Sequence, residues 1–160
     1  MDRIAIVTDS AASIPEELAK EAELEIVPMG VQINSKMYRE GIDISKEEFY
    51  AQLDTADMVS TSQPSPGDFL EVYERVAARA KEIISIHITG EGSGTVNVAN
   101  LVKEYISIPI NVIDSRTASM GQGFIALAAG KAAKAGKSQE EILRIIDHVR
   151  EKTAVFVAVP

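Results

Sequence analysis

The run Ile83-Ile84-Ser85-Ile86-His87-Ile88 passes directly into Thr89-Gly90-Glu91-Gly92-Ser93-Gly94-Thr95, and helix-compatible sequence resumes at Val96-Asn97. An apolar strand, a glycine and hydroxyl loop and a helix in succession are how an α/β protein presents a loop at the edge of a sheet. Three glycines within five residues are expected to supply positive φ and close approach to a ligand. Ser93 and Thr95 add hydroxyls, and the following helix adds unpaired N–H groups at its positive end. Such a corner favours a carboxylate or a phosphate.

Three familiar loops do not fit these residues. A P-loop needs Lys and then Ser or Thr after its last glycine, whereas Gly94 is followed by Thr95 and Val96. A dinucleotide fingerprint needs a third glycine at position 95, and a nucleophile elbow on Ser93 needs glycines at 91 and 95. The loop is anion-friendly without being any of these.

The rest of the chain extends the pattern. Residues 3–7 read as a parallel strand covered on both faces, ending in Thr8-Asp9-Ser10. Pro15, Glu16 and Glu17 open a helix to about Ala22. Residues 25–33 read as a second strand, with a turn at 34–36 into Met37-Tyr38-Arg39. Ser45 with Glu48 has capping-box spacing for a helix over 46–53. Two prolines make 59–66, Val-Ser-Thr-Ser-Gln-Pro-Ser-Pro, an irregular loop rich in hydroxyls, with Ser65 or Asp68 capping a helix over 69–80.

A strand over 82–89 leads into the glycine loop and a helix. A strand over 110–113 ends in Asp114-Ser115, and a polar loop over 116–123 precedes an alanine-rich helix to about Ala135, stopped by Gly136. Ser138 and Glu141 make a second capping box for a helix over 140–152, and 154–159 reads as a final strand. Strand and helix alternate at least four times, so the class is α/β with a mostly parallel sheet flanked by helices. Ligands gather beyond the carboxyl ends of such strands, where Thr8-Asp9-Ser10, 89–95 and Asp114-Ser115 fall and the 60–65 loop is able to join them.

Composition bounds the chemistry. With 160 residues and 46% hydrophobic content the chain suits one domain with a real core. A net charge of −8 argues against a nucleic-acid face. The absence of cysteine excludes thiolate metal sites and cysteine nucleophiles. No signal peptide is visible at the start, and the most apolar stretch, 124–135, carries Lys131 and Lys134 and is too short for stable membrane insertion, so a cytoplasmic protein is expected.

His87 alternates with isoleucines and reads as a hydrogen-bonded histidine under a helix more readily than as a catalyst. His148 reads as solvated, and neither histidine has a second at ligand spacing, so no metal or other cofactor is expected. Ser93 as a nucleophile would have only His87 nearby as base. Asp9 and Asp114 as an acid/base pair or magnesium ligands compete with the simpler reading that they cap turns.

Several pieces, in order, resemble the DegV family of bacterial fatty-acid-binding proteins. They are Ile6-Val7-Thr8-Asp9-Ser10 with Ile14-Pro15, Val27-Pro28 with Tyr38 and Gly41, and Thr61-Ser62-Gln63-Pro64-Ser65. Further on come Ser93-Gly94-Thr95, Val112-Ile113-Asp114-Ser115 and Gly121-Gln122-Gly123. The resemblance implies that 1–160 is one α/β domain like the first domain of such proteins, with the family's second domain absent. That second domain usually adds a basic or histidine contact and one wall of the acyl tunnel.

The resemblance also implies a carrier, not an enzyme. It would bind a long-chain fatty acid with Thr61 and Ser93 on the carboxylate and Ser62, Gly94 and Thr95 beside them, and present it to a fatty acid kinase. Two departures, Glu91-Gly92 where the family usually has a leucine beside the serine and Val96 where an aromatic is common, imply a changed wall. The alternative reading is an enzyme acting on a small phosphorylated or carboxylated substrate through Ser93 or the strand-end aspartates.

Overall fold

The computed structural model of the chain describes residues 3–156. Four parallel strands form the main sheet: β1 (Ile4–Asp9), β2 (Leu24–Val27), β6 (Glu82–His87) and β7 (Ile110–Asp114), in the order β2-β1-β6-β7. Three shorter strands, β3 (Gly30–Ile33), β4 (Lys36–Arg39) and β5 (Val59–Ser62), form a separate antiparallel sheet in the order β4-β3-β5. The helices are α1 (Glu16–Glu21), α2 (Lys46–Leu53), α3 (Pro66–Ala77), α4 (Thr95–Val102), α5 (Ser119–Lys134) and α6 (Gln139–Lys152), with a 3-10 turn at Ser10–Ala12. The α/β class with a parallel sheet is therefore borne out.

Alternation along β1 and β6 sorts the core into two layers. Ile4 and Ile6 join Ile84 and Ile86 on one face, under α1, α5 and α6, where Ala19, Ile125, Ala129, Ile142 and Ile146 are buried. Ala5 and Val7 join Ile83 on the other, under α3 and α4, where Phe69, Val72, Tyr73, Val76 and Ala99 are buried. With both faces covered, the strands read as apolar runs without polar alternation.

Local signals set the helix ends. Ser45–Glu48, Ser65–Asp68 and Ser138–Glu141 all form reciprocal capping boxes. Gly136 takes φ +74 just past α5, the left-handed stop expected there.

Three expectations are corrected. The strand expected over 25–33 is two strands in two sheets, because Pro28 has no N–H to extend the parallel ladder, which ends at the Asp9–Val27 pair. The supposed loop at 59–62 is a strand, since β5 pairs antiparallel with β3, Thr61 opposite Val31 and Ser62 opposite Gly30. The polar loop of 116–123 is shorter, because α5 begins at Ser119 and buries Gly121, Gln122 and Gly123. Of the strand expected over 154–159, residues 154–156 carry no regular structure and 157–159 lie outside the described residues.

Candidate functional site

The carboxyl ends of β1, β6 and β7 lie on one edge of the sheet, and their loops are bonded to each other. Asp114 accepts the amides of Gly90 (3.1 Å) and Arg116 (2.7 Å). The Ser115 amide donates to the His87 carbonyl, and the Thr89 amide to the Thr117 carbonyl, each at 2.9 Å. The glycine loop is thus fixed to the β7 end by backbone bonds.

Positive φ is not what the loop glycines supply. The glycines with positive φ are Gly41 and Gly136 among the described residues, and none is in 90–94. Gly94, with φ −77, serves close approach instead: a Cβ there would overlap the side-chain carboxamide of Gln63. The same device recurs across the small sheet, where a Cβ on Gly30 would overlap the hydroxyl of Ser62. Two side chains of the 61–65 segment therefore lie on two bare α-carbons, and the first of these contacts brings that segment against the Ser93 loop.

Ser93 Oγ and Thr95 Oγ1 are 2.8 Å apart, and the Thr95 amide donates to Ser93 Oγ at 3.3 Å. The Thr95 hydroxyl has one proton to give, to Ser93 Oγ or to Met29 Sδ; given to Ser93, it leaves Ser93 accepting twice and its own O–H aimed elsewhere as a strengthened donor. Thr95 is buried and also reaches Met29 Sδ at 3.9 Å, while Ser93 and Gly94 are half-buried. At the N-terminus of α4, Gly94 offers no side-chain cap. Thr61 and Ser62 are exposed, and their hydroxyls take no partner among the described residues. The result is a polar corner with outward donors from two directions.

Beneath this corner lies a buried chain of polar groups. Tyr73 OH donates to Ser85 Oγ (2.8 Å), Ser85 Oγ is 2.6 Å from His87 Nε2, and His87 Nδ1 is 2.9 Å from Asp9 Oδ2. Asp9 also accepts the amides of Ile88 and Ala11, each at 3.1 Å. Tyr73, Ser85, His87 and Asp9 are all fully buried. Burial holds the Tyr73 phenol above the ordinary value of 10.0, so it stays protonated and donates.

This order resembles a nucleophile–base–acid series, yet its serine is sealed in the core. His87 has no ring nitrogen left for Ser93. Asp9 caps the turn that follows it, and Asp114 is taken up by two amides, so the turn-capping reading describes both. His148 is exposed. Among the described residues no three His, Cys, Asp or Glu side chains come together as metal ligands. Nor is any described helix long and apolar enough to cross a membrane.

Sequence reasoning missed Met29, which touches Thr95 and whose amide donates to Ser10 Oγ at 2.9 Å, and it missed Gln63 as the contact between loops. Only the glycine at 94 hinted at a close neighbour. Two clefts, of about 770 and 600 Å3, open beside Arg3 and Lys137 and beside Ser10 and Ile42 respectively, and neither is lined by Thr61 or Ser93.

Comparison with known proteins agrees with this fold. Residues 3–160 match the model of a family described as uncharacterised protein, DegV family. A DegV domain-containing protein of Caldanaerobacter subterraneus is 40% identical over 147 residues, covering 91% of this chain and 52% of that protein. DegV of Bacillus subtilis, described as a fatty acid binding protein, superposes with a TM-score of 0.85 at 31% identity over 94% of this chain and 55% of its own. A stearic acid-binding protein of Eubacterium ventriosum superposes at 0.78 and 28% identity, over 92% of this chain and 52% of its own. The chain spans about half the length of the curated relatives it matches.

Proposed function

The chain belongs to the DegV family, and on that premise we propose that it binds a long-chain fatty acid, with Ser93 and Thr61 donating hydrogen bonds to the carboxylate. Ser62, Gly94 and Thr95 complete the corner. The observation that carries this reading is the contact of Gln63 with Gly94, which joins the Thr61 segment to the Ser93 loop.

The physics of the ligand fits such a corner. An ionised carboxylate leaves water only where several donors replace its hydration. Ser93, Thr61 and the uncapped N-terminus of α4 are donors of that kind, and a helix N-terminus favours an anion. For the tail, burial contributes about 0.8 kcal/mol per CH2, enough for about 16 carbons to bind below micromolar after ordering costs. Thr61 and Ser62 are exposed, so full strength requires a covering wall, a part the family resemblance gives to a second domain.

In this reading the protein is a cytoplasmic carrier that presents its fatty acid to a fatty acid kinase, without chemistry of its own. His87 and the strand-end aspartates are bonded within the fold, which favours a carrier over an enzyme using Ser93 as nucleophile. Solvent extraction of the purified protein followed by mass spectrometry tests the proposal: long-chain fatty acid in about equimolar amount is expected, and its absence even after incubation with palmitate contradicts it.

A further inference from the structure

We propose that Asp9 and His87 are positioning residues of the hydroxyl corner, a role that rests on the carboxylate-site reading above. An aspartate and a histidine without exposure are costly to bury, and an apolar pair of similar volume would hold strands β1 and β6 together as well or better. What an apolar pair cannot do is fix backbone amides.

The hydrogen bonds of the buried chain end on two such amides, and each leads to one arm of the site. Tyr73, Ser85 and His87 donate in sequence toward Asp9, whose carboxylate accepts the His87 Nδ1–H, the Ile88 amide and the Ala11 amide. Ile88 is the last residue before the loop that carries Ser93. Ala11 follows Ser10, whose hydroxyl accepts the Met29 amide. Met29 then touches Thr95, and the next residue, Gly30, pairs with Ser62. One carboxylate thus sets both the loop of Ser93 and the start of the strand opposite Ser62 and Thr61.

Two variants separate this role from simple packing. His87→Leu fills space but offers no donor, whereas His87→Asn places an amide near the position of Nδ1 and keeps the bond to Asp9. The readouts are palmitate affinity and hydrogen exchange of the amides of 88–95 in the ligand-free protein. The expected result is that His87→Leu loses about tenfold or more in affinity and speeds exchange in 88–95 by a similar factor, the worth of a hydrogen bond to a charged group. His87→Asn recovers most of both.

Equal behaviour of the two variants, or wild-type exchange in folded His87→Leu, overturns the proposal. Where His87→Leu does not fold, Asp9→Asn, equal in size, turns one of the two accepting oxygens into a donor, so exchange of the Ile88 or the Ala11 amide should speed, and unchanged exchange at both overturns the proposal. If the wild type binds no palmitate, the carboxylate reading falls, while the exchange contrast still decides whether Asp9 and His87 hold the loop.

Discussion

The carboxamide of Gln63 lies on the bare α-carbon of Gly94, so that any side chain at 94 displaces it. This contact is the junction of the two segments that carry the proposed carboxylate donors. Because the clash involves only the end of a flexible side chain, Gly94→Ala is expected to keep the fold and to expel Gln63. The effects of Gly94→Ala and Gln63→Ala on stability should then be non-additive, with a coupling of about 0.5–3 kcal/mol. A denaturant double-mutant cycle measures it, and simple additivity contradicts the contact.

Ser93→Ala and Thr61→Ala should each weaken palmitate binding by about 1–3 kcal/mol, since each leaves a charged acceptor short of a donor. Thr61→Ala should leave the melting temperature nearly unchanged, because Thr61 is exposed, whereas Ser93→Ala should lower it modestly, because the buried Thr95 loses the acceptor of its amide. Isothermal titration with thermal melts checks both halves. Affinity unchanged in both variants contradicts the assignment.

Tyr73 gives a prediction at high pH. Burial raises its phenol above 10.0 in the folded state, so its contribution to stability is complete below pH 10 and declines as pH rises beyond it. Tyr73→Phe should therefore flatten the alkaline limb of the stability curve. At neutral pH it should cost about 1 kcal/mol, because Ser85 loses a donor but still bonds His87. Melting curves between pH 8 and about 11 distinguish the two effects.

The capping boxes give the opposite sign. Bonds from the Ser45 and Ser138 amides and hydroxyls hold the carboxyls of Glu48 and Glu141 below the usual 4.5. Their stabilisation is present above pH 4.5 and is lost as pH falls below it. Glu48→Gln and Glu141→Gln should each make stability less sensitive to acid between pH 5 and about 3, measured by urea unfolding. An unchanged acid limb in both contradicts the caps.

The signals that reached the sequence were the local ones. The Ser45, Ser65 and Ser138 caps, the apolar stripe of α3 and the parallel strands follow from residue chemistry within a few positions. His87 was legible as a buried, hydrogen-bonded histidine because isoleucines flank it, and it indeed lies edge-on beneath Phe69 of α3, ring centres 5.1 Å apart.

What escaped depended on distant partners. Nothing within 25–33 announces a change of sheet except Pro28, and β5 is exposed along its whole length, so it lacks the apolar alternation that marks a strand. The start of α5 escaped because Gly121 and Gly123 are poor helix formers; their burial against neighbours outweighs that propensity. In the candidate site the hydroxyls were legible, but the Gln63–Gly94 contact and the place of Met29 arise only from tertiary packing.

In the proposed site the acid group of a fatty acid is held by the hydroxyl corner. Paired titrations of palmitate and its methyl ester into the wild-type protein and into Ser93→Ala/Thr61→Ala separate recognition of the acid group from binding of the tail. The wild type is expected to prefer the acid by about tenfold or more, the worth of hydrogen bonds to a charged group, and the double variant to lose most of this preference. Equal affinity for acid and ester in the wild type, or a preference that survives the double substitution, would contradict it.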